Sequence, residues 1–304
     1  MHRDEREHAD EGPNEGRSLD TGGGVGHDEV RRCWDGNADV WTRLSRAGYD
    51  TYRDHLNTPA FFDMLPDVRG LIGLDIGCGE GYNTRLLARR GAHVTALDIA
   101  ERFVRHADQP EQQEPLGIDY HVASAVKLPY PDATFDFATA FMSLMDVPET
   151  EYAIAEAYRV LKRDGFLQFS ITHPCFDTPH RRHVRDEEGL TQAVEVGDYF
   201  CNLQGEVTEW LFSAAPPEVR EGLPTFKIPR FTRTVSQWLN LVIETGFRLE
   251  RVEEPRPDDD TVRQHPNLQD AQVVAYFLHV RARKPGERAQ PSASTHASHQ
   301  GVEL

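Results

Sequence analysis

The sequence predicts an α/β protein built on a doubly wound sheet of seven strands, mostly parallel, with the last strand antiparallel. Short apolar runs alternate with helical stretches from residue 71 to residue 172. This alternation is typical of right-handed β-α-β units, which build parallel sheets. A glycine-rich turn also joins the first of these strands to its helix. The chain has 304 residues, enough for one large domain with an insertion.

Each predicted strand is a short apolar run, and each predicted helix has an apolar face. The strands are expected at 71–76, 93–97, 118–122, 135–141, 166–171, 248–253 and 273–281. The helices are expected at 30–65, 82–90, 100–107, 149–162 and 235–244. Asp164 and Gly165 are expected to end the fourth helix and Gly246 the fifth, because these residue types favour helix C-termini.

The alternation stops at His173 and Pro174, and about 60 residues with scattered aromatics follow. Ligands of doubly wound sheets bind beyond the carboxyl ends of the strands, so an insertion there is expected to cap the site. Few apolar residues at either end predict disordered tails. The expected organisation is listed in chain order: acidic tail 1–28, N-terminal helical segment 29–70, core 71–173, cap 174–232, second part of the core 233–284, tail 285–304.

The net charge of −17 argues against a nucleic-acid partner, because an acidic body repels phosphates. No apolar run reaches the roughly 20 residues of a membrane span, and the polar, acidic N-terminus is unlike a signal peptide. We therefore expect a cytoplasmic protein with no membrane partner. The four cysteines form no C-x-x-C pair, so no metal site is expected.

The most informative segment is 75–81, which reads DIGCGEG between a strand and a helix. Glycines there let the backbone turn sharply and leave bare amides at a helix N-terminus, where a ligand can approach. A dinucleotide-binding fingerprint would need a glycine where this chain has Tyr82. Asp98 ends the second strand, 21 residues after Gly77, and its carboxylate is placed to accept hydrogen bonds from a ribose.

This pattern resembles the class I S-adenosylmethionine-dependent methyltransferases, which have a Rossmann-like fold. The resemblance continues in 128–136, which reads LPYPDATFD, and in 155–165, which reads AEAYRVLKRDG. It covers residues 71–172, with a looser match at 234–282. It implies that S-adenosylmethionine is the cofactor and that a small molecule accepts the methyl group.

The resemblance also implies which residues bind the cofactor. Five residues of the glycine loop would hold its methionine and ribose portions: Asp75, Gly77, Cys78, Gly79 and Gly81. Asp98 would hold the ribose, and Ile99 would lie against the adenine. Many relatives place an aspartate before alanine after the third strand, whereas this chain has Ser124 and Ala125. The Ser124 hydroxyl would then accept from the adenine amino group through a weaker contact.

The catalytic residues are harder to predict. Transfer from a sulfonium needs mainly alignment and exclusion of water, and it needs a base only if the acceptor must lose a proton. His173, just beyond the fifth strand, is a candidate base or, equally, a structural residue of the cap hinge. Asp146, after the fourth strand, could hold an acceptor or cap the helix that follows Pro148.

Several other residues have two possible roles. Four N-terminal aromatics could shield the cofactor or, more readily, pack in the core: Trp34, Trp41, Tyr49 and Tyr52. Arg53 could meet the cofactor carboxylate, although a solvated helix face is the expected role. The cationic run 181–183 could attract an anionic acceptor, although a solvated surface run is the simpler interpretation.

Three functions are compatible with these observations. The first is methyl transfer to oxygen, nitrogen or carbon of a small molecule. The alternative is an S-adenosylmethionine-binding protein of the same fold that catalyses a non-methylating reaction such as cyclisation. A nicotinamide-dependent oxidoreductase is disfavoured by Tyr82. The sequence leaves open whether the protein is a monomer or a homodimer.

Overall fold

The computed structural model describes residues 25–286. The two predicted tails, 1–28 and 285–304, lie almost entirely outside the described residues. Among residues 25–286, no helix combines the length and the apolar character that a membrane span requires.

Between residues 25 and 286 the chain forms eleven strands. In chain order they are β1 Ile72–Ile76, β2 His93–Asp98, β3 Asp119–Val122, β4 Phe135–Phe141, β5 Leu161–Thr172, β6 His180–Arg185, β7 Thr191–Gly197, β8 Gln204–Trp210, β9 Phe226–Phe231, β10 Arg248–Glu253 and β11 Phe277–Arg283. Seven of them form one sheet in the order β10-β11-β5-β4-β1-β2-β3. β11 is antiparallel to both of its neighbours, and the pairs from β5 to β3 are parallel. The predicted fold class is confirmed.

The same part of the chain forms nine α-helices. They are α1 His27–Arg46, α2 Thr58–Met64, α3 Tyr82–Arg89, α4 Glu101–Gln113, α5 Thr150–Val160, α6 Pro217–Arg220, α7 Val235–Glu244, α8 Asp259–Gln264 and α9 Asp270–Val273. A π-helical turn, Arg53–Asn57, leads into α2. Short 3-10 turns lie at Leu144–Asp146 and Pro266–Leu268.

Apolar side chains cover both faces of the sheet. On one face, Ile154 of α5 and Trp238 of α7 pack against the strands. On the other, Phe61 of α2 and Leu87 of α3 pack against Phe137. Because both faces are buried, the edge formed by the carboxyl ends of the parallel strands is where ligands can approach.

Several predicted boundaries are wrong. The predicted helix 30–65 is divided into α1, the π-helical turn and α2, and the predicted helix 100–107 extends as α4 to Gln113. The fourth predicted helix ends at Val160 rather than at residue 162, because buried Leu161 already pairs with Phe135 of β4. The demands of the sheet override the local stop signal. The last strand begins at Phe277 rather than at residue 273, because residues 270–273 form α9.

The predicted cap, residues 174–232, contains two antiparallel hairpins, β6–β7 and β8–β9. The β8–β9 hairpin packs on α1, and Asn37 of α1 exchanges two side-chain hydrogen bonds with the backbone of Lys227, each 2.9 Å long. The ring of Trp41 lies 4.7–5.6 Å from three aromatic rings of the insertion: Trp210, Phe212 and Phe226. Trp41 is therefore a packing residue. The boundaries of the predicted units stay predictions.

Candidate active site

The loop between β1 and α3 depends on three glycines. Gly77, Gly79 and Gly81 have φ angles of +72°, +54° and +84°, in the left-handed region that favours glycine. A Cβ on Gly77 would lie 2.3 Å from Ser143 Cβ, and one on Gly81 would lie 2.8 Å from the Tyr120 hydroxyl. A Cβ on Gly79 would meet no atom of the described residues within 4 Å. Gly77 and Gly81 thus allow neighbouring side chains to pack against the loop. Gly79 leaves the backbone exposed beside open space.

Asp98 lies directly beside this open space. Its Oδ2 accepts a hydrogen bond of 2.9 Å from the Gly79 amide, and its Oδ1 accepts one of 2.8 Å from the Ala100 amide. The side chain is buried, and burial raises the pKa of its carboxyl to about 6. A carboxylate has about four acceptor positions, so each oxygen can still accept from a ligand hydroxyl.

Asp75 supports the loop from below. Its two oxygens accept hydrogen bonds of 2.6 Å from Thr84 of α3 and 2.8 Å from Thr139 of β4. It is buried, and burial raises the pKa of its carboxyl. Burial likewise raises the pKa of the neighbouring Cys78 thiol, which stays protonated near neutral pH. Asp75 therefore fixes the geometry of the loop rather than facing the open side.

The residues expected at the adenine lie next to the end of β2. The Ala123 amide donates to the Asp98 carbonyl oxygen at 3.0 Å, which holds the loop after β3 against β2. Ser124 and Ile99 are half-buried and Ala125 is buried. The Ser124 hydroxyl oxygen already accepts from the Val126 amide at 3.2 Å, which leaves it one acceptor position.

Asp146 occupies the 3-10 turn that follows β4. The expected capping role is wrong, since Glu149 holds the N-cap position of α5, and no hydrogen bond among residues 25–286 involves the Asp146 carboxylate. Burial raises its pKa well above the ordinary value, and the charges of Asp177 and Asp98 add to this effect, against Arg230. The carboxylate thus lies within electrostatic range of the cofactor side, through Asp98, and of the cap, through Asp177 and Arg230.

His173 is fully engaged elsewhere. The Cys175 amide donates to its Nδ1 at 3.2 Å, so Nε2 carries the proton and donates to Glu254 Oε1 at 2.7 Å. The backbone amide of His173 also donates to the Tyr276 carbonyl oxygen at 2.9 Å. Neither ring nitrogen is left to take a proton from an acceptor. These contacts support the structural role at the cap hinge.

A small cavity lies between the end of β5 and the cap. Its volume is about 30 Å³, and its lining includes Met145, Thr172, Asp177 and Trp238. Met145 is the neighbour of Asp146, so this cavity lies near the candidate acceptor residue. It has the size of about one water molecule.

Comparison with known proteins agrees with this geometry. Residues 74–169 match the family described as a methyltransferase domain. An S-adenosylmethionine-dependent methyltransferase from Mesorhizobium loti is 29% identical, with a TM-score of 0.60, over 74% of this chain and 96% of that one. The chain belongs to the class I S-adenosylmethionine-dependent methyltransferases. S-adenosylmethionine is its cofactor.

Two curated relatives with a named activity are similar to this methyltransferase over shorter stretches. The 27-O-demethylrifamycin SV methyltransferase of Amycolatopsis mediterranei is 28% identical over 59% of this chain and 66% of its own length. The ubiquinone biosynthesis O-methyltransferase of Aromatoleum aromaticum is 30% identical over 45% of this chain and 62% of its own. The chain thus spans just under two thirds of either relative, and the rest of each protein lies outside the similarity.

The residues of the methyltransferase site fit the cofactor. The open side of Gly79 admits a ligand against the backbone, and the remaining acceptor positions of Asp98 suit the hydroxyls of a ribose. Ser124 suits the adenine less well, because a neutral hydroxyl is a weaker acceptor than a carboxylate.

Sequence reasoning missed the role of Glu80, although this residue lies inside the glycine motif. Glu80 is buried and accepts hydrogen bonds from Arg46 and Arg53. The expectation of a solvated Arg53 is wrong, because its side chain is 12% exposed. The sequence did contain a signal for this role, namely an acidic residue within a loop that otherwise needs glycines.

The cationic run of the cap is only partly a surface run. Arg182 is exposed and pairs with Glu195 at 2.6 Å. The alternation of the β6 strand turns its neighbours inward. Arg181 stacks on the Tyr276 ring at 4.6 Å, and His183 lies 3.3 Å from Asp270. These inward contacts join the β6–β7 hairpin to the segment before β11.

Proposed function

We propose that this methyltransferase transfers the methyl group to oxygen, nitrogen or carbon of a small molecule enclosed between the carboxyl ends of β4 and β5 and the cap. The observation that carries the proposal is the position of Asp146. Its side chain is half-buried, its carboxylate forms no hydrogen bond within residues 25–286, and it lies within electrostatic range of Asp98 and of Asp177 and Arg230 of the cap.

Each part of the site has a role that follows from its contacts. When bound, the cofactor supplies a methyl group already activated by the sulfonium. The glycine loop and Asp98 bind and orient it, and the cap with α1 excludes water, so alignment accounts for much of the rate. Asp146 accepts the proton that an acceptor hydroxyl or amine loses during the attack.

The raised pKa of Asp146 suits this role. A carboxyl group that is a stronger base than usual holds the acceptor proton better. The shift has two causes, burial of the carboxyl and the negative charges of Asp177 and Asp98, and both disfavour the charged carboxylate. A carbon acceptor that is already nucleophilic would not need this step.

An oxygen acceptor is the first class to test. Of the two curated relatives described above, one is named as a 27-O-demethylrifamycin SV methyltransferase and the other as an O-methyltransferase of ubiquinone biosynthesis. The net charge of −17 and the enclosing cap also favour a small molecule over a nucleic acid.

The test is formation of S-adenosylhomocysteine by the purified chain with S-adenosylmethionine and a panel of phenols, aliphatic alcohols, amines and activated carbon acids. We expect product only with some acceptors, together with an acceptor heavier by one methylene in mass spectrometry. The Asp98→Ala variant is the binding control. An acceptor that is cyclised or isomerised while no S-adenosylhomocysteine forms would overturn the proposal in favour of non-methylating chemistry.

A further inference from the structure

Glu80 connects the cofactor loop to the segment that precedes the sheet. Its Oε2 accepts a hydrogen bond of 3.2 Å from Arg46 Nε, and its Oε1 accepts one of 3.1 Å from Arg53 Nη1. Arg46 lies in the last turn of α1, and Arg53 begins the π-helical turn. The side chains of Glu80 and Arg53 are 8% and 12% exposed, so their charge-assisted bond is protected from water, whereas the Arg46 side chain is 37% exposed.

Arg53 has several partners besides Glu80. Its Nε donates to Asp54 at 2.8 Å and its Nη2 to the Ser45 carbonyl oxygen at 3.4 Å. Its guanidinium also stacks at 4.3 Å on Tyr82, the first residue of α3 after the glycine loop. Arg53 therefore contacts the cofactor loop on both sides of its last glycine.

Buried and half-buried carboxylates outnumber the arginines in this cluster. Asp50 and Asp54 lie beside Arg53 together with Glu80, so three acids share two guanidiniums. The pKa of Asp50 is raised to about 6, chiefly by burial and less by the charges of Asp54 and Glu80, against the charge of Arg53. A cluster with this excess of negative charge is sensitive to any change in the position of Glu80.

The same helix carries part of the cap. We call α1 and the β8–β9 hairpin together the lid. They are joined by the aromatic contacts of Trp41 and by the two hydrogen bonds between Asn37 and Lys227. The Val25 amide, next to the start of α1, also donates to the Gln204 carbonyl oxygen at 3.2 Å. A movement of α1 therefore moves the β8–β9 hairpin.

We propose that Glu80 is a positioning residue that couples occupation of the cofactor loop to closure of the lid, through Arg46 and Arg53. A ligand that lies against Gly79 fixes the neighbouring Glu80, and Glu80 then holds α1 and its hairpin over the acceptor. The cofactor thus closes the site around the acceptor. The inference rests on the cofactor site of the proposed function but not on methyl transfer itself.

Hydrogen–deuterium exchange of the full chain, with and without S-adenosylhomocysteine, tests the coupling. In the wild type, the ligand should slow exchange both at 77–100 and in the lid, at 27–46 and 204–231, by about fivefold or more, the low end of usual coupling. In Glu80→Gln, calorimetry should still show binding, and protection at 77–100 should remain while lid protection is lost. Arg46→Gln, at a more exposed position, should show the same loss in part.

The matched control is Asp39→Asn. Asp39 also ties α1 to the core, through Arg102 and His106 of α4, but it does not contact the loop. It should leave the ligand-induced protection of the lid intact. Lid protection that survives in Glu80→Gln, or that is absent in a wild type that binds the ligand, overturns the coupling whether or not methyl transfer is found. A wild type that does not bind the ligand removes both proposals.

Discussion

The two sides of the active site use different chemistry. The cofactor side is made largely of backbone: three left-handed glycines, and an aspartate whose two oxygens accept backbone amides. The acceptor side depends on which side chains keep a free oxygen or nitrogen. There the carboxylate of Asp146 forms no hydrogen bond within the described chain, whereas both ring nitrogens of His173 are bonded. A site built from backbone groups can be recognised in the sequence from the spacing of its glycines. A site built from side chains depends on tertiary contacts, which the sequence does not show.

The largest expected effect is on the acceptor side. Asp146→Asn should lower kcat by about 100-fold to 10,000-fold for a hydroxyl or amine acceptor, because it removes the proton acceptor, and should leave the Kd for S-adenosylhomocysteine within about twofold. In the wild type, kcat should rise with pH through a pKa above that of an ordinary carboxyl, since the ionised form is active and burial raises that pKa. Steady-state kinetics and calorimetry measure these values. Unchanged kcat in the variant would show that no base acts here.

The next effect separates two glycines of the same loop. Gly77→Ala should lower the free energy of unfolding by about 2 to 4 kcal/mol, from left-handed strain and from the clash with Ser143. Gly79→Ala should cost only the strain, about 1 to 2 kcal/mol, but its methyl group should occupy the ligand space and weaken cofactor binding. Chemical denaturation and calorimetry compare them. Equal stability of the two variants would contradict the different surroundings of the two glycines.

Asp98→Ala should weaken binding of S-adenosylhomocysteine by about 1.5 to 3 kcal/mol, the usual value of a hydrogen bond to a charged group. The loss should be smaller at pH values below about 6, because burial raises the pKa of Asp98 to about 6 and the protonated carboxyl is a poorer acceptor. Calorimetry at pH 5 and pH 8 gives both numbers. Equal affinity of variant and wild type at pH 8 would place the ribose elsewhere.

The fold and the cofactor loop could be predicted because both follow from local patterns. The predicted ranges 135–141 and 235–244 coincide with β4 and α7, and the glycine spacing alone located the loop. The helix end predicted from residues 164–165 is wrong because Leu161 already pairs with Phe135 of the neighbouring strand β4. Tertiary pairing of this kind leaves no mark near the residue itself.

The same limit applies to the acceptor side. The partner of His173 is Glu254, 81 residues away, and that of Arg53 is Glu80, 27 residues away. Neither pairing could be predicted from a single sequence. Asp146 and His173 both follow strands that end at the same edge, so their positions in the sequence could not rank them as candidate bases.

The smallest expected effect on the reaction comes from His173, and it completes the contrast with Asp146. His173→Ala removes the hydrogen bonds to Cys175 and Glu254 and should lower the free energy of unfolding by about 1 to 2 kcal/mol. Because neither ring nitrogen is free to take a proton, kcat should stay within about threefold of the wild type. A fall in kcat as large as that of Asp146→Asn, with unchanged stability, would instead make His173 the base. Its Nδ1 would then have to give up the hydrogen bond from the Cys175 amide before each turnover.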